Sequence, residues 1–243
     1  MLTLYFKEIN SFLSSLIGYI VITIFLTAVG LFMWVFPGEL NLLDAGYANI
    51  DTLFIVAPWV FMFLIPAVTM RMFADEKKSG TIELLLTRPL TDLQIIAGKY
   101  LAGLTLVILS LLPSLVYYYS AHTLGNPSGN IDTGGMWGSY LGLLFLAAAY
   151  VAIGIFSSSI TENQIIAFII SVFLCFFFFI GFESISTLAL FGKIDNIILQ
   201  FGINEHYISM SRGVIDTRDV IYYISLISIF LLFTRTVLES RKW

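Results

Sequence analysis

Charge in this chain is scarce and concentrated. Of the twelve Lys and Arg residues, five (Arg71, Lys77, Lys78, Arg88 and Lys99) fall in the segment from Arg71 to Lys99, together with Asp75, Glu76, Glu83 and Asp92. Such groups can pair across an interface, hold an anion or pass protons. Their spacing fits no bond-making constellation. There is no Gly-x-x-x-x-Gly-Lys-Ser/Thr run to cradle phosphates, and Gly98-Lys99-Tyr100 lacks the upstream glycine and the hydroxyl residue. There is no His-Glu-x-x-His motif, and His122 and His206 have no Cys, His or carboxylate at a recognised ligand spacing. The segment reads as a recognition surface, not a catalytic centre.

The elements that carry it are apolar. The 243 residues are 58% hydrophobic and 12% charged, with a mean hydropathy of +0.93. A soluble domain averages about 25% charged residues, so an ordinary soluble enzyme is excluded and a polytopic helical membrane protein is expected. No basic patch lies outside this segment and the C-terminal tail, which argues against nucleic acid as a partner. The single cysteine, Cys175, sits in an apolar run and is expected to pack as a small hydrophobe. From Ile9 to Gly38 the chain is uncharged, too long for the core of a cleaved signal peptide.

Charge-poor windows predict six spans, near Leu16–Phe36, Leu53–Met70, Ile95–Ser120, Gly135–Phe156, Asn163–Phe182 and Val220–Val237. With the N-terminus inside, Lys7, Arg71, Lys77, Lys78, Arg88, Lys99, Arg235, Arg241 and Lys242 are cytoplasmic and only Lys193, Arg212 and Arg218 are outside. That is the distribution the positive-inside rule requires, with both termini in the cytoplasm. The span cores hold no charge, with Lys99 in the first turns of the third and Arg235 near the end of the sixth, so no proton or sodium relay is legible. Met1–Ser15 reads as an amphipathic helix at the cytoplasmic surface. Residues 183–219 contain apolar pieces too short to cross, which suit either re-entrant helices or an extracellular cap.

Within the charged segment, Asp75–Lys78 reads as solvated and Gly80 as a break. Thr81 is expected to cap a short helix over Ile82–Thr87, with Glu83 near its positive end, Arg88 at its negative end and Pro89 as its stop. A helix exposing Leu84, Leu85 and Leu86 needs a surface to pack on, either a groove in another subunit or the lipid interface. Thr91 and Gln94 form an expected capping box opening the third span, stapled by Leu90 and Ile95; Thr161 and Gln164 read as a second box before the fifth. Gly138 and Gly142 place small residues one turn apart on the fourth span, for packing in the bundle or along a dimer seam. Pro66 and Pro113 are expected to kink the second and third spans. Trp34, Trp59, Trp137, Tyr140, Tyr222 and Tyr223 fall where an aromatic belt would lie.

The run from Asp75 to Gly103, DEKKSGTIELLLTRPLTDLQIIAGKYLAG, resembles the acidic, Gly-Thr-hydrophobic-Glu-Leu-Leu, Pro, Gly-Lys pattern of ABC-2 type transporter permeases. The six-span layout extends the likeness over essentially the whole chain. Within that family the chain looks most like the gliding-motility-associated permease subunit, and is similar to the permease of the copper-processing system for nitrous oxide reductase. The resemblance implies an all-α, six-span ABC-2 (type V exporter-like) transmembrane domain over residues 1–243. It implies an elbow helix at 1–15, a cytoplasmic coupling loop at 71–99 and an extracellular or re-entrant segment at 183–219. The residues matching the family pattern are Glu76, Gly80, Thr81, Glu83, Leu84, Leu85, Pro89, Gly98 and Lys99. The implied partners are a separate ABC ATPase subunit that carries ATP and Mg, and a second permease copy or homologous membrane subunit. No cofactor is expected in this chain, and the implied location is the bacterial inner membrane. The expected function is therefore a non-enzymatic permease subunit, exporting a substrate the family does not fix or driving cell-surface or gliding machinery. The alternative is a non-transporting anchor that recruits a cytoplasmic ATPase.

Overall fold

Away from water a backbone can satisfy its own polar groups within one segment only as a helix. A computed structural model describes residues 1–46, 48–86, 90–188, 192 and 195–240, with the side chains of 17 and 84–86 left out, and no strand occurs among the described residues. The chain opens with α1 (Leu2–Leu13) and α2 (Leu16–Trp34), then a single turn, α3 (Leu42–Ala45). Next, α4 (Asp51–Thr69) runs almost directly into α5 (Arg71–Lys78), and Gly80, at φ +71, turns the chain into α6 (Thr81–Leu86). A 3₁₀ turn at Leu112–Ser114 joins α7 (Asp92–Leu111) to α8 (Leu115–Leu124). The longest element is α9 (Thr133–Ile160); α10 (Gln164–Phe176) passes through a π-helical turn at Phe177–Gly181 into α11 (Phe182–Thr187). Short α12 (Asp195–Leu199) and α13 (Ile203–Ser211) precede α14 (Thr217–Glu239).

Five helical stretches are long and apolar enough to cross a bilayer: Asp51–Lys78, Asp92–Leu124, Thr133–Ile160, Gln164–Thr187 and Thr217–Glu239. A sixth arises if α1 and α2, bent by 66°, are taken as one span. The two proline positions differ in effect. Pro113 lies in the 3₁₀ turn between α7 and α8, whereas Pro58 and Pro66 are accommodated inside α4, and that helix breaks only at Met70.

The bundle is built around α9. Its span is 78% buried, against 22% for those of α10–α11 and α14, and it packs on α4, α5, α7, α10, α13 and α14. Small residues allow this. An added Cβ on Gly154 would run into Thr69 of α4, one on Gly138 would lie 2.6 Å from the Gly213 backbone, and one on Gly142 would lie 2.9 Å from Met210. The stripe of Gly138 and Gly142 is thus occupied from within the chain, by α13 and the turn after it. At 28 residues α9 is about 42 Å long. It outruns the expected Gly135–Phe156, and Ser157 and Ser159 return their hydroxyls to the carbonyls of Ile153 and Phe156, which satisfies these polar groups while they stay buried.

Caps set other boundaries. Thr91 accepts from the Gln94 N–H (3.3 Å) and the Gln94 side chain accepts from the Thr91 N–H (3.1 Å), completing the box that opens α7. The box expected at Thr161 and Gln164 does not form. Asn163 caps α10 by accepting from the Ile165 N–H (2.9 Å), Thr161 accepts from the Asn163 N–H, and the Gln164 side chain is drawn away to Asp75 of α5. Arg235, near the end of α14, pairs with Glu239 one turn on (2.7 Å). Tyr140 and Tyr223, placed by sequence in an aromatic belt, are core residues, while Trp59 and Trp137 remain exposed.

Among residues 183–219, α13 packs against α9 and donates the Tyr207 hydroxyl to the Phe54 carbonyl of α4 (2.7 Å). His206, which has no partner legible by spacing, meets Asp219 at 2.7 Å through Nδ1 and the Gln200 carbonyl at 2.9 Å through Nε2, and stacks on Tyr222. These contacts fasten α13 to the start of α14.

Gly154→Ala is expected to lower stability by about 1–3 kcal/mol through overpacking against Thr69. At Gly98 the nearest atom to an added Cβ is 3.5 Å away, so Gly98→Ala is expected to be neutral or to gain about 0.5–1 kcal/mol. Unfolding of both variants in one detergent, against the parent, checks the contrast.

Candidate functional site

The break at Met70 deprives the N–H groups of the next turn of their helical acceptors. A residue from another span supplies them: the Ser158 hydroxyl of α9 accepts from the N–H groups of Phe73 (2.9 Å) and Ala74 (3.1 Å), and donates to the Met70 carbonyl (2.7 Å). Close by, Lys77 donates to the Ser159 carbonyl and the Gln164 amide donates to Asp75. In this way α5 is laced across the corner between α9 and α10.

Asp75–Lys78, expected to be solvated, is therefore not a loop. It is the second half of a helix in which Met72, Phe73, Glu76 and Lys77 share an inward face through their i, i+4 spacing, and all four are buried. Of this tetrapeptide only Lys78 is exposed.

Beneath α5 lies a cluster of four charges. Lys99, on the second turn of α7, is fully buried. Its ammonium donates to Glu8 of α1 (2.8 Å) and to the Met72 carbonyl (2.6 Å), forms an ion pair with Glu76 of α5 at 3.0 Å, and lies 5.0 Å from the centre of the Phe73 ring. Lys7 reaches the same Glu76 oxygen at 3.0 Å and Glu8 at 3.5 Å. Burial pulls the Lys7 ammonium down, but the hydrogen bond it donates to Glu76 and the charges of Glu8 and Glu76 outweigh it and hold it above its ordinary value. The other Glu76 oxygen is buried without a hydrogen-bond partner among the described residues. Ions removed from water persist only when paired and hydrogen-bonded this closely.

The cluster joins elements that are distant in sequence. Through it α1 is held on α7 and α5; the Tyr5 hydroxyl meets Thr105 of α7 (2.9 Å), Gly98 sits under Leu4, and Arg71 lies 5.3 Å from the Phe12 ring centre. Lys99, assigned from sequence to helix initiation and packing, is the hub of this joint, and Glu76 is part of it.

The remaining expected residues divide. Gly80 makes the turn from α5 to α6 with open space around it. Thr81 is the first residue of α6; its hydroxyl donates back to the Glu76 carbonyl (3.4 Å) and meets the Ser79 hydroxyl (2.9 Å), so it ties the two short helices together. Ile82 is buried and Glu83 exposed. Arg88 and Pro89 lie outside the described residues, as do the side chains of Leu84 and Leu85. Thr91 and Gln94 begin α7, whereas Gly138 and Gly142 sit at the opposite end of the bundle. Sequence reasoning missed Lys7, Glu8, Ser158 and Gln164. The available signal for the first two was a charged pair in an otherwise apolar N-terminal helix.

The arrangement is an ion-paired joint between α1, α5 and α7. The sequence model described as ABC-2 family transporter protein matches residues 3–238. A search of curated proteins found no match. The chain belongs to the ABC-2 transporter family and is a multi-pass membrane protein.

Lys99→Met would take from Glu8 and the Met72 carbonyl their closest donor and leave only the half-exposed Lys7 to pair with the two largely buried carboxylates. It is expected to lower stability by about 3–5 kcal/mol. The triple change Glu8→Gln, Glu76→Gln and Lys99→Met removes three of the four charges, leaves only the half-exposed Lys7, and is expected to recover much of that loss. Unfolding in detergent gives the comparison; a triple variant whose loss equals the sum of the single losses would speak against a coupled cluster.

Proposed function

We propose that this ABC-2 family member is the permease subunit of an ATP-binding-cassette transporter, in which α6 docks on a separate ATPase subunit and passes its displacement to the spans through α5 and the Lys99 cluster. The observation that carries this reading is the way the α5–α6 hairpin is mounted. Ile82 anchors α6 to the core while Glu83 faces outward, and α5 is bonded to α1, α7, α9 and α10. A displacement of α6 would therefore load four helices, since packed elements with satisfied polar contacts shift between discrete arrangements instead of deforming smoothly.

The same end of the bundle holds α1, the last turns of α9 and, through contacts of Phe156 with Phe230 and Phe233, the second half of α14. Of the eight described Lys and Arg residues this end holds six, Lys7, Arg71, Lys77, Lys78, Lys99 and Arg235, and the positive-inside rule favours a cytoplasmic face for it; a bacterial inner membrane is the location the family resemblance favours. ATP and Mg would be bound by the partner. One such chain supplies half of a pathway, so a second copy or a homologous membrane subunit completes it. Export, or service to cell-surface and gliding machinery, is the direction the family resemblance favours.

The test is co-purification of the tagged chain in mild detergent with its ATPase. Glu83→Arg combined with Leu84→Ala is expected to release the ATPase or abolish its stimulation while leaving unfolding of the permease unchanged. Retention of both binding and stimulation would remove α6 from the docking role.

A further inference from the structure

At the end of the bundle away from the Lys99 cluster, α4 separates two cavities. One is a cleft of about 610 Å³ between α4, the π-helical turn, α11 and α13. Among its described lining residues the charged ones are both carboxylates, Asp51 and Glu183, and no Lys or Arg is present. Asn204, which donates to Glu183 (2.9 Å), adds an amide, and Phe54, Trp59 and Phe179 add aromatic wall. The other is a groove of about 510 Å³ between α2 and α4, whose lining is entirely apolar, including Ile24, Phe32, Val60 and Phe63. The two share Ile55 and Trp59, both about half exposed, so they meet over one stretch of α4. Each volume lies within the usual range of roughly 300–1,000 Å³ for small-molecule sites.

We infer that the cleft and the groove form one binding site for a single-chain amphiphile with an ammonium head, the head between Asp51 and Glu183 and the chain along Ile55, Trp59 and Phe63. Three features on the page select this chemistry. Carboxylates in a partly desolvated cleft attract a cation and disfavour the anionic head of a lipid or fatty acid. An indole face at the junction suits a quaternary or primary ammonium, which aromatic rings attract through their quadrupole. A groove without polar lining accepts a hydrocarbon chain and offers nothing to a second polar group. The inference stands on the cavity lining and does not rest on the transport reading; binding is measured without an ATPase present.

The experiment uses Trp59 as its own reporter. In a chain carrying Trp34→Phe, Trp137→Phe and Trp243→Phe, reconstituted in phosphatidylcholine nanodiscs, Trp59 fluorescence is titrated with two probes that share one brominated dodecyl chain. One probe has a trimethylammonium head and the other a sulfonate head. The site predicts saturable quenching by the ammonium probe at a concentration at least about tenfold lower than for the sulfonate probe. Asp51→Asn with Glu183→Gln should merge the two curves, whereas Glu39→Gln, at an exposed carboxylate outside both cavities, should leave them apart. In the parent lining, unbrominated dodecyltrimethylammonium should reverse the quenching and dodecyl sulfonate should not, an arm that needs no change at either carboxylate. Non-saturating, coincident curves would mean partitioning into the bilayer only and overturn the proposal. So would a preference that survives removal of both carboxylates, or equal displacement by the two unbrominated competitors.

Discussion

A lysine without solvent exposure, at the start of a span, constrains everything around it. Its ammonium requires acceptors on all sides, and those acceptors must come from different elements, because α7 itself has its carbonyls engaged in the helix. Glu8 comes from α1, Glu76 from α5 and a carbonyl from Met72 in the first turn of α5, just past the break that ends α4. Replacing such a cluster with well-packed apolar residues is often neutral or stabilising in other proteins, so stability alone is a weak account of it. What the ions provide is geometry: charge pairing at 2.8–3.0 Å admits one placement of α1 over α5 and α7. We hypothesise that this placement is what the cluster is for.

The second constraint is the break itself. A helix that passed straight from α4 into α5 would keep its N–H groups satisfied internally and would need nothing from α9. Interrupted at Met70, it is met by Ser158, which lies in the serine run at residues 157–159 in the last turn of α9. Close approach of α9 to α4 in turn depends on Gly154 opposite Thr69. The charged end of the bundle and its glycine-rich core are therefore parts of one arrangement, with α9 as the common element.

Local features were legible in the sequence. The box at Thr91 and Gln94 forms as read because its partners are three residues apart and nothing competes for them. The analogous reading at Thr161 and Gln164 fails because the glutamine amide finds Asp75, 89 residues away, a competitor no local rule contains. Span positions were legible from hydropathy, but their ends were not. Hydropathy scores Ser157–Ser159 and Arg71–Lys78 as polar without registering that most of these residues are buried inside the bundle. The joint was hidden for the same reason: Glu8 and Lys99 are 91 residues apart, and each alone reads as a surface charge. Exposure of α6 was legible in part. Glu83 does face outward, while Ile82 anchors the helix from beneath.

The central claim is that α1, α5 and the start of α7 move as one body when α6 is displaced. Spin labels placed pairwise at exposed positions test it directly, at Ser11 on α1, Lys78 on α5 and Thr236 on α14, in a Cys175→Ala background with the proposed ATPase partner bound. The account predicts that the distance from position 11 to position 78 stays narrow and constant between nucleotide-free and ATP-bound states, while the distance from 78 to 236 changes. It also predicts that Lys99→Met broadens the first distribution. A distance from 11 to 78 that shifts with nucleotide as much as that from 78 to 236 would contradict it.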